Sequence, residues 1–533
     1  MTVIEAPPSA PSEATQESRR EPRGIPAVIG SGDHKTIGRV WIGASALFLL
    51  LTVVVGVLLG IERITVDELE VLGNDNVLQF FSLYRVGLTF LVVLPFFLGL
   101  ATAIVPLQVG ASSIAFPRAA AAALWTWIGG AVLLLISYAI DGGPVAAPNL
   151  DPEAIALGVL GLGLVVLGLL MASVCVVTTV FALRPVRMSL RQVPPFAWSM
   201  VVAGVIWLLS LPVLMAGLVL AYLDLRYGQL LFAQPGELYQ RLAWVFAQPQ
   251  VYAMAIPVLG VAAEVVPVSA GVVQRGRGAL WIGIGGFGAF AFGAWAQPFY
   301  RSELLTEAVY VGFAFAIGLA LLIVLGGVAD SARQDRPALR PAFVLSVLAL
   351  FLLLAATAAG AAGVIEPFHL LGTTWEVGHL NLVLTASLVG ATAALCWWAP
   401  KLWGRHVPPS LAYLAGLLLA GGGVLLAAAE GVAGVLDEPG FSFAGFEPRD
   451  GVETFNLIAA VGAGILALGA VLLVLALLRA MIGSDTAEDA QDPWGGQTLE
   501  WSTSSPPPPG NFTEPVPEVT SATPLVTTEE GGA

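Results

Sequence analysis

Apolar residues run in long uninterrupted stretches along this chain, and polar positions collect between them. Runs of bilayer length, about 20 residues each, predict twelve helices: 38–61, 78–106, 118–140, 154–183, 196–222, 238–268, 276–299, 304–328, 340–364, 378–400, 408–434 and 454–482. Gly and Pro recur inside these runs, as membrane helices tolerate where neighbours re-satisfy the freed backbone groups. The expected fold class is an all-α integral membrane protein with about twelve transmembrane helices. Three regions follow. Residues 1–37 are rich in Pro, Ser and Glu without an apolar core, which predicts a disordered lead and not a signal peptide. Residues 38–483 form the membrane domain, and 484–533, with prolines at Pro506–Pro509, predict an extended acidic, Pro-rich tail.

Composition confirms the solvent. Of 533 residues 57% are hydrophobic and 11% charged, against about 25% charged in a soluble chain. The formal charge of −14 is concentrated at the end: residues 484–533 hold nine acids and no Lys or Arg. Nothing here offers the basic surface of a nucleic-acid partner. Cys175 and Cys396 both sit in apolar runs, which predicts packing roles and excludes a disulfide framework or a CxxC metal site.

The loops then give a direction. One side collects seventeen of the 23 basic residues, among them Arg118, Arg184, Arg187, Arg191, Arg275, Arg277, Arg333, Arg336, Arg340, Lys401 and Arg405. The other side is acidic, with Glu62, Asp67, Glu68, Glu70, Asp141, Asp151, Glu366, Asp437, Glu438 and Asp450 among its residues. The positive-inside rule places both termini in the cytoplasm, as an even number of spans requires.

Ionisable groups inside spans are the default functional candidates, and this chain has few. The two lysines, Lys35 and Lys401, fall in predicted loops. The four histidines are His34, His369, His379 and His406, so none occurs between positions 34 and 369. Spans 1 to 9 work without imidazole.

Five stretches in order carry a resemblance: IVPLQVGASSIAFPR (Ile104–Arg118), WVFAQPQVY (Trp244–Tyr252), WAQPFY (Trp295–Tyr300), TTWEVGHLNLV (Thr373–Val383) and DPWGGQTLEWSTSSPPPPGNF (Asp492–Phe512). From about Asp33 to Glu518 the chain resembles subunit I of the heme–copper terminal oxidases, the twelve-span catalytic subunit of cytochrome c oxidase, most closely its bacterial branch. The resemblance implies a plasma-membrane location and six histidine ligands. A low-spin heme would lie between one histidine of span 2 and the second of a pair in span 10. A high-spin heme would sit on the first of that pair, and copper on the HPEVY histidine and two adjacent histidines of span 7.

At those positions this sequence has Tyr84, flanked by Leu83 and Arg85, then Asn381, His379, Gln248, Gln297 and Pro298. One of the six ligands, His379, remains. Amide oxygen is a hard, weak ligand for copper and Pro has no side-chain donor, so copper is not expected. A low-spin heme needs two strong axial ligands, which Tyr84 and Asn381 do not supply. The expectation is no cofactor, with a single heme on His379 as the alternative. The implied proton path has also changed: Ser113 and Gln250 stand where the family has acids, and Thr102 and the run Ala119–Ala123 where it has asparagines.

The remaining polar residues have ordinary readings beside functional ones. Tyr252 reads as a buried tyrosine with a bonded hydroxyl. Glu264 reads as an interfacial carboxylate, Arg85 as snorkelling or paired with Glu376, Arg449 as a solvated loop residue, and His379 as bonded to Glu376. Three functions stay open. The chain is a non-catalytic subunit I-like scaffold, docking subunit II- or III-like membrane proteins in lipid. It is alternatively a single-heme sensor or electron carrier, or a terminal oxidase with unorthodox ligands. The topology is directly testable: reporter fusions at position 445 should read as non-cytoplasmic, and a cytoplasmic signal there would reject the arrangement.

Overall fold

The computed structural model describes residues 25–64, 72, 74–145, 150–228, 231, 238, 241–243, 249–296, 304–440, 451–483 and 491–526. Within them the chain forms a helical bundle. The helices are α1 (His34–Glu62); α2, which runs as α-helix Asn74–Val86, π-helix Gly87–Val93 and α-helix Leu94–Gln108; α3 (Pro117–Ala139); and α4 (Pro152–Ala182). They continue as α5 (Pro195–Tyr227), α6 (Pro249–Ser269), α7 (Arg277–Ala296), α8 (Leu304–Gln334), α9 (Pro341–Gly363), α10 (Thr374–Trp403), α11 (Pro409–Val435) and α12 (Glu453–Ile482). Eleven of these are long and apolar enough to cross a membrane among the described residues. The chain is a multi-pass membrane protein.

Consecutive helices pack side by side except that α2 packs against α4 and not α3, and α12 closes on α1. This follows from short connections that make sequential elements neighbours in space. Three helices lie innermost: the most apolar stretches of α2, α6 and α10 are 100%, 94% and 94% buried. Close approach depends on small residues, as expected where lipid supplies no hydrophobic drive between helices. A Cβ at Gly422 of α11 would lie 2.3 Å from Leu466 N of α12, so these backbones touch. The π-turns of α2 have a local cause. Pro95 has no N–H to return to Leu91, and the Leu94 N–H bonds instead to Thr89 O, five residues back.

At the end of the bundle where α1 begins, two expectations are corrected. The lead does not extend to residue 37: α1 starts at His34, capped by the Asp33 side chain, which accepts from Lys35 N. Lys35 and Lys401 are not loop residues either. They occupy the first turn of α1 and the last turn of α10, 6% and 1% exposed. The tail, which carries one turn of 3-10 helix at Leu499–Ser502, holds them there. Lys401 Nζ donates to Thr503 O at 2.6 Å and to Gln491 O at 3.2 Å, and sits 5.1 Å from the centre of the Trp501 ring. Lys35 Nζ and His34 Nε2 both reach Asn511 Oδ1, at 3.0 and 2.9 Å, while Asn511 Nδ2 donates to Ala111 O at 2.7 Å. Buried lysine is tolerated here because its ammonium protons meet carbonyl oxygens. Lys401→Met should therefore destabilise the protein by about 1–3 kcal/mol and open residues 491–526 to protease. An unchanged digestion pattern and Tm would show that the tail is held by other contacts.

Candidate functional site

The opposite end of the bundle gathers the polar residues that the ligand pattern singles out. Thr373 caps α10, its hydroxyl accepting from Trp375 N at 3.2 Å. The helix then presents Glu376, His379 and Asn381 to α2, α6, α9 and α11. Asn381 and Tyr84 meet: the tyrosine hydroxyl donates to Asn381 Oδ1 at 3.3 Å, both residues being buried. The tyrosine ring packs over Gly56 of α1, where a Cβ would come within 2.6 Å of Tyr84 Cε2. Gly56 makes the room that ring occupies.

Asn381 passes the connection on. Its Nδ2 donates to Glu430 Oε2 of α11 at 2.7 Å, and Glu430 Oε1 pairs with Arg63 Nη1, just past α1, at 3.2 Å. Thr374 Oγ1 donates to the Glu430 carbonyl at 2.9 Å and Thr374 N to the Glu438 carbonyl at 2.9 Å. Glu430 and Arg63 are 4% and 8% exposed, so the pair is shielded from solvent. Burial pulls the Arg63 guanidinium below the ordinary arginine value, and Glu430 and Glu438 offset part of that effect. Tyr84, Asn381, Glu430 and Arg63 thus form one polar ladder across α2, α10, α11 and α1.

His379 makes a separate pair. Its Nε2 shares a hydrogen bond of 3.0 Å with the Tyr252 hydroxyl of α6, which gives Tyr252 the bonded hydroxyl expected of it. The reading that Glu376 takes the imidazole proton is corrected: among the described residues the partner is Tyr252. Glu376 and Glu430 instead both lie within the electrostatic reach of Arg85. Arg85 is 7% exposed with its guanidinium 4.9 Å from the Phe81 ring centre, so it does not snorkel into solvent. Glu264 is corrected too. It is 5% exposed and bonded within the bundle, because the tail covers its end of α6. Gln248, Gln297, Pro298 and Arg449 lie outside the described residues.

A cleft of about 40 Å³, lined by residues of α6 to α10, reaches the His379–Tyr252 pair. A Cβ at Gly360 of α9 would stand 2.1 Å from the Tyr252 hydroxyl and 2.9 Å from His379 Nε2, so α9 packs closely over this pair. Among the described residues no three His, Cys, Asp or Glu side chains gather as a metal cluster.

A family profile described as "Cytochrome C and Quinol oxidase polypeptide I" matches residues 36–465. The chain belongs to that family. Cytochrome c oxidase subunit 1 of Bacillus subtilis (strain 168) is 27% identical over 526 residues, covering 94% of this chain and 82% of its own. Its counterpart from Thermostichus vulcanus is 29% identical over 502 residues, covering 89% of this chain and 88% of its own. A heme-copper terminal oxidase dimer solved by cryo-electron microscopy shares the fold, with a TM-score of 0.71 over 85% of each chain at 18% identity.

Sequence reading missed Glu430 and Arg63. The signal was present: Glu430 is the one Asp, Glu, Lys or Arg in the predicted span 408–434, and such groups are functional or structural anchors by default. Breaking a buried pair from one side leaves an uncompensated charge. Glu430→Leu should destabilise by about 3–5 kcal/mol, while Glu430→Leu combined with Arg63→Met should recover most of that loss. Equal stability of the single and double variants in chemical denaturation would show that the pair is not coupled.

Proposed function

We propose that this chain is a non-catalytic, subunit I-like membrane subunit, a scaffold or partner within a respiratory-type complex, carrying neither copper nor heme. It lies in the bacterial plasma membrane with both termini cytoplasmic. The observation that supports this best is the contact between Tyr84 and Asn381. These residues stand where the family resemblance places the two axial ligands of a low-spin heme, and here they bond directly at 3.3 Å. Two axial ligands of one iron must leave the metal between them; two side chains in mutual contact do not.

The chemistry of the other positions agrees. Gln248 and Gln297 offer only amide oxygens, and Pro298 no side-chain donor, where three copper ligands belong. Ser113 and Gln250 cannot relay protons as carboxylates do. Partners of subunit II or III type suit the exposed apolar surface: on α8, Phe315, Leu319 and Leu322 are 50%, 62% and 51% exposed, a face for lipid or another membrane subunit. Fold alone does not carry an activity.

Protein purified in mild detergent from a heme-replete host should give no pyridine hemochrome and no cyanide-sensitive oxygen uptake. Stoichiometric heme that His379→Ala abolishes would replace this reading with the single-heme one. Cyanide-sensitive oxygen uptake would replace it with a working oxidase.

A further inference from the structure

The end of the bundle that holds the tail contains a second buried polar cluster, separate from the former ligand positions. Glu264 of α6 and Glu500 of the tail approach one side chain, Gln108 at the end of α2. Gln108 Nε2 lies 2.6 Å from Glu264 Oε1 and 3.0 Å from Glu500 Oε1. Thr498 Oγ1 is 3.2 Å from Glu264 Oε1, Phe196 N donates to Glu264 Oε2 at 3.2 Å, and Trp398 Nε1 lies 3.4 Å from Glu500 Oε1. Gln108 and Glu500 are 0% exposed and Glu264 is 5% exposed.

Acceptors exceed donors in this cluster. Gln108 Oε1 and Glu500 Oε2 are both buried without a hydrogen-bond partner, and such orphans are rare in a settled interior. The carboxylates also lack an ion pair with Lys or Arg among the described residues. Lys401 and Arg277 act on Glu500 and Glu264 only through space, while their side chains donate to tail carbonyls and, from Arg277 Nη2, to Val193 O at 2.8 Å. Two carboxylates, an amide oxygen and a hydroxyl, all hard oxygen donors without sulfur or imidazole, are the ligand set of Mg²⁺ or Ca²⁺. A half-turn of the Gln108 amide exchanges its oxygen and nitrogen. Three oxygens would then stand where two distances of 2.6 and 3.0 Å are now bridged by the NH₂ group.

We propose that Glu264, Glu500, Gln108 and Thr498 bind one divalent hard cation that clips the tail onto α2 and α6. The site takes two of its four residues from the tail, so binding and tail docking are a single event, and the cation neutralises the two carboxylates that docking buries. It does not depend on how the heme positions are read.

The test uses the full chain in detergent, stripped with EDTA and titrated separately with Mg²⁺ and Ca²⁺. Tm should rise with the logarithm of the concentration of the bound ion, and protease cleavage within 491–526 should slow in parallel. Terbium, a Ca²⁺ probe, should show luminescence sensitised by Trp398. Glu264→Gln and Glu500→Gln keep the side-chain volume and an acceptor oxygen, and should weaken binding by more than about tenfold. Thr498→Val should weaken it less, leaving the carboxylates in place should either Gln variant fail to fold. A wild-type protein whose Tm, cleavage and terbium signal ignore all three ions would overturn the proposal. So would an unchanged response in Glu264→Gln and Thr498→Val, or a tail that responds to pH alone.

Discussion

Glu430 is a carboxylate buried where lipid and apolar side chains would otherwise surround it, and the far end of the bundle is organised to satisfy it. An ionised group in such a place is retained only if it is paired and hydrogen-bonded. Arg63 supplies the charge at 3.2 Å and Asn381 a donor at 2.7 Å. These demands fix three helices at once. They bring the end of α1 to α11, turn Asn381 of α10 toward α11, and through Asn381 hold Tyr84 of α2. Gly378 permits the approach: a Cβ there would lie 2.6 Å from Ala427 O, so α10 and α11 are in backbone contact one turn from the carboxylate. A larger residue at 378 would push Asn381 out of reach.

The consequence for function lies in what occupies the middle of that network. Side chains from α2 and α10, which the family resemblance assigns to opposite sides of an iron, are here adjacent steps of one hydrogen-bonded ladder. The neighbouring histidine bonds to another side chain, Tyr252, under a helix that packs closely over both at Gly360. Interhelical bonding of this kind holds helices together in a membrane without a prosthetic group. The bundle keeps the family architecture, and on the proposed reading packing and polar contacts take the place of the cofactors.

Much of the fold was legible because apolar runs report the bilayer directly. What they miss is the part of a helix that continues past the lipid. The apolar run of α1 begins at residue 38, but the helix starts at His34 because His34 and Lys35 are polar and still buried under Asn511. Asp224 and Arg226 end the apolar run of α5 before its helix ends at Tyr227, and Asp330 and Arg333 do the same for α8. The site was half legible. Asn381, Tyr84 and His379 stood out by residue type, but the bonds they make join residues 49, 297 and 127 positions apart, a property of packing and not of local pattern. The tail misled for a related reason: its acidity predicted solvation, whereas Glu500 is fully buried.

The central claim is that side chains meet where the family resemblance places an iron. An experimental density map of the protein, purified from a heme-replete host and reconstituted in lipid, addresses it without reference to activity. The account predicts continuous density between the Tyr84 hydroxyl and Asn381, with Glu430 bridging to Arg63. Planar macrocycle density separating Tyr84 from Asn381, or standing between His379 and α9, would contradict it.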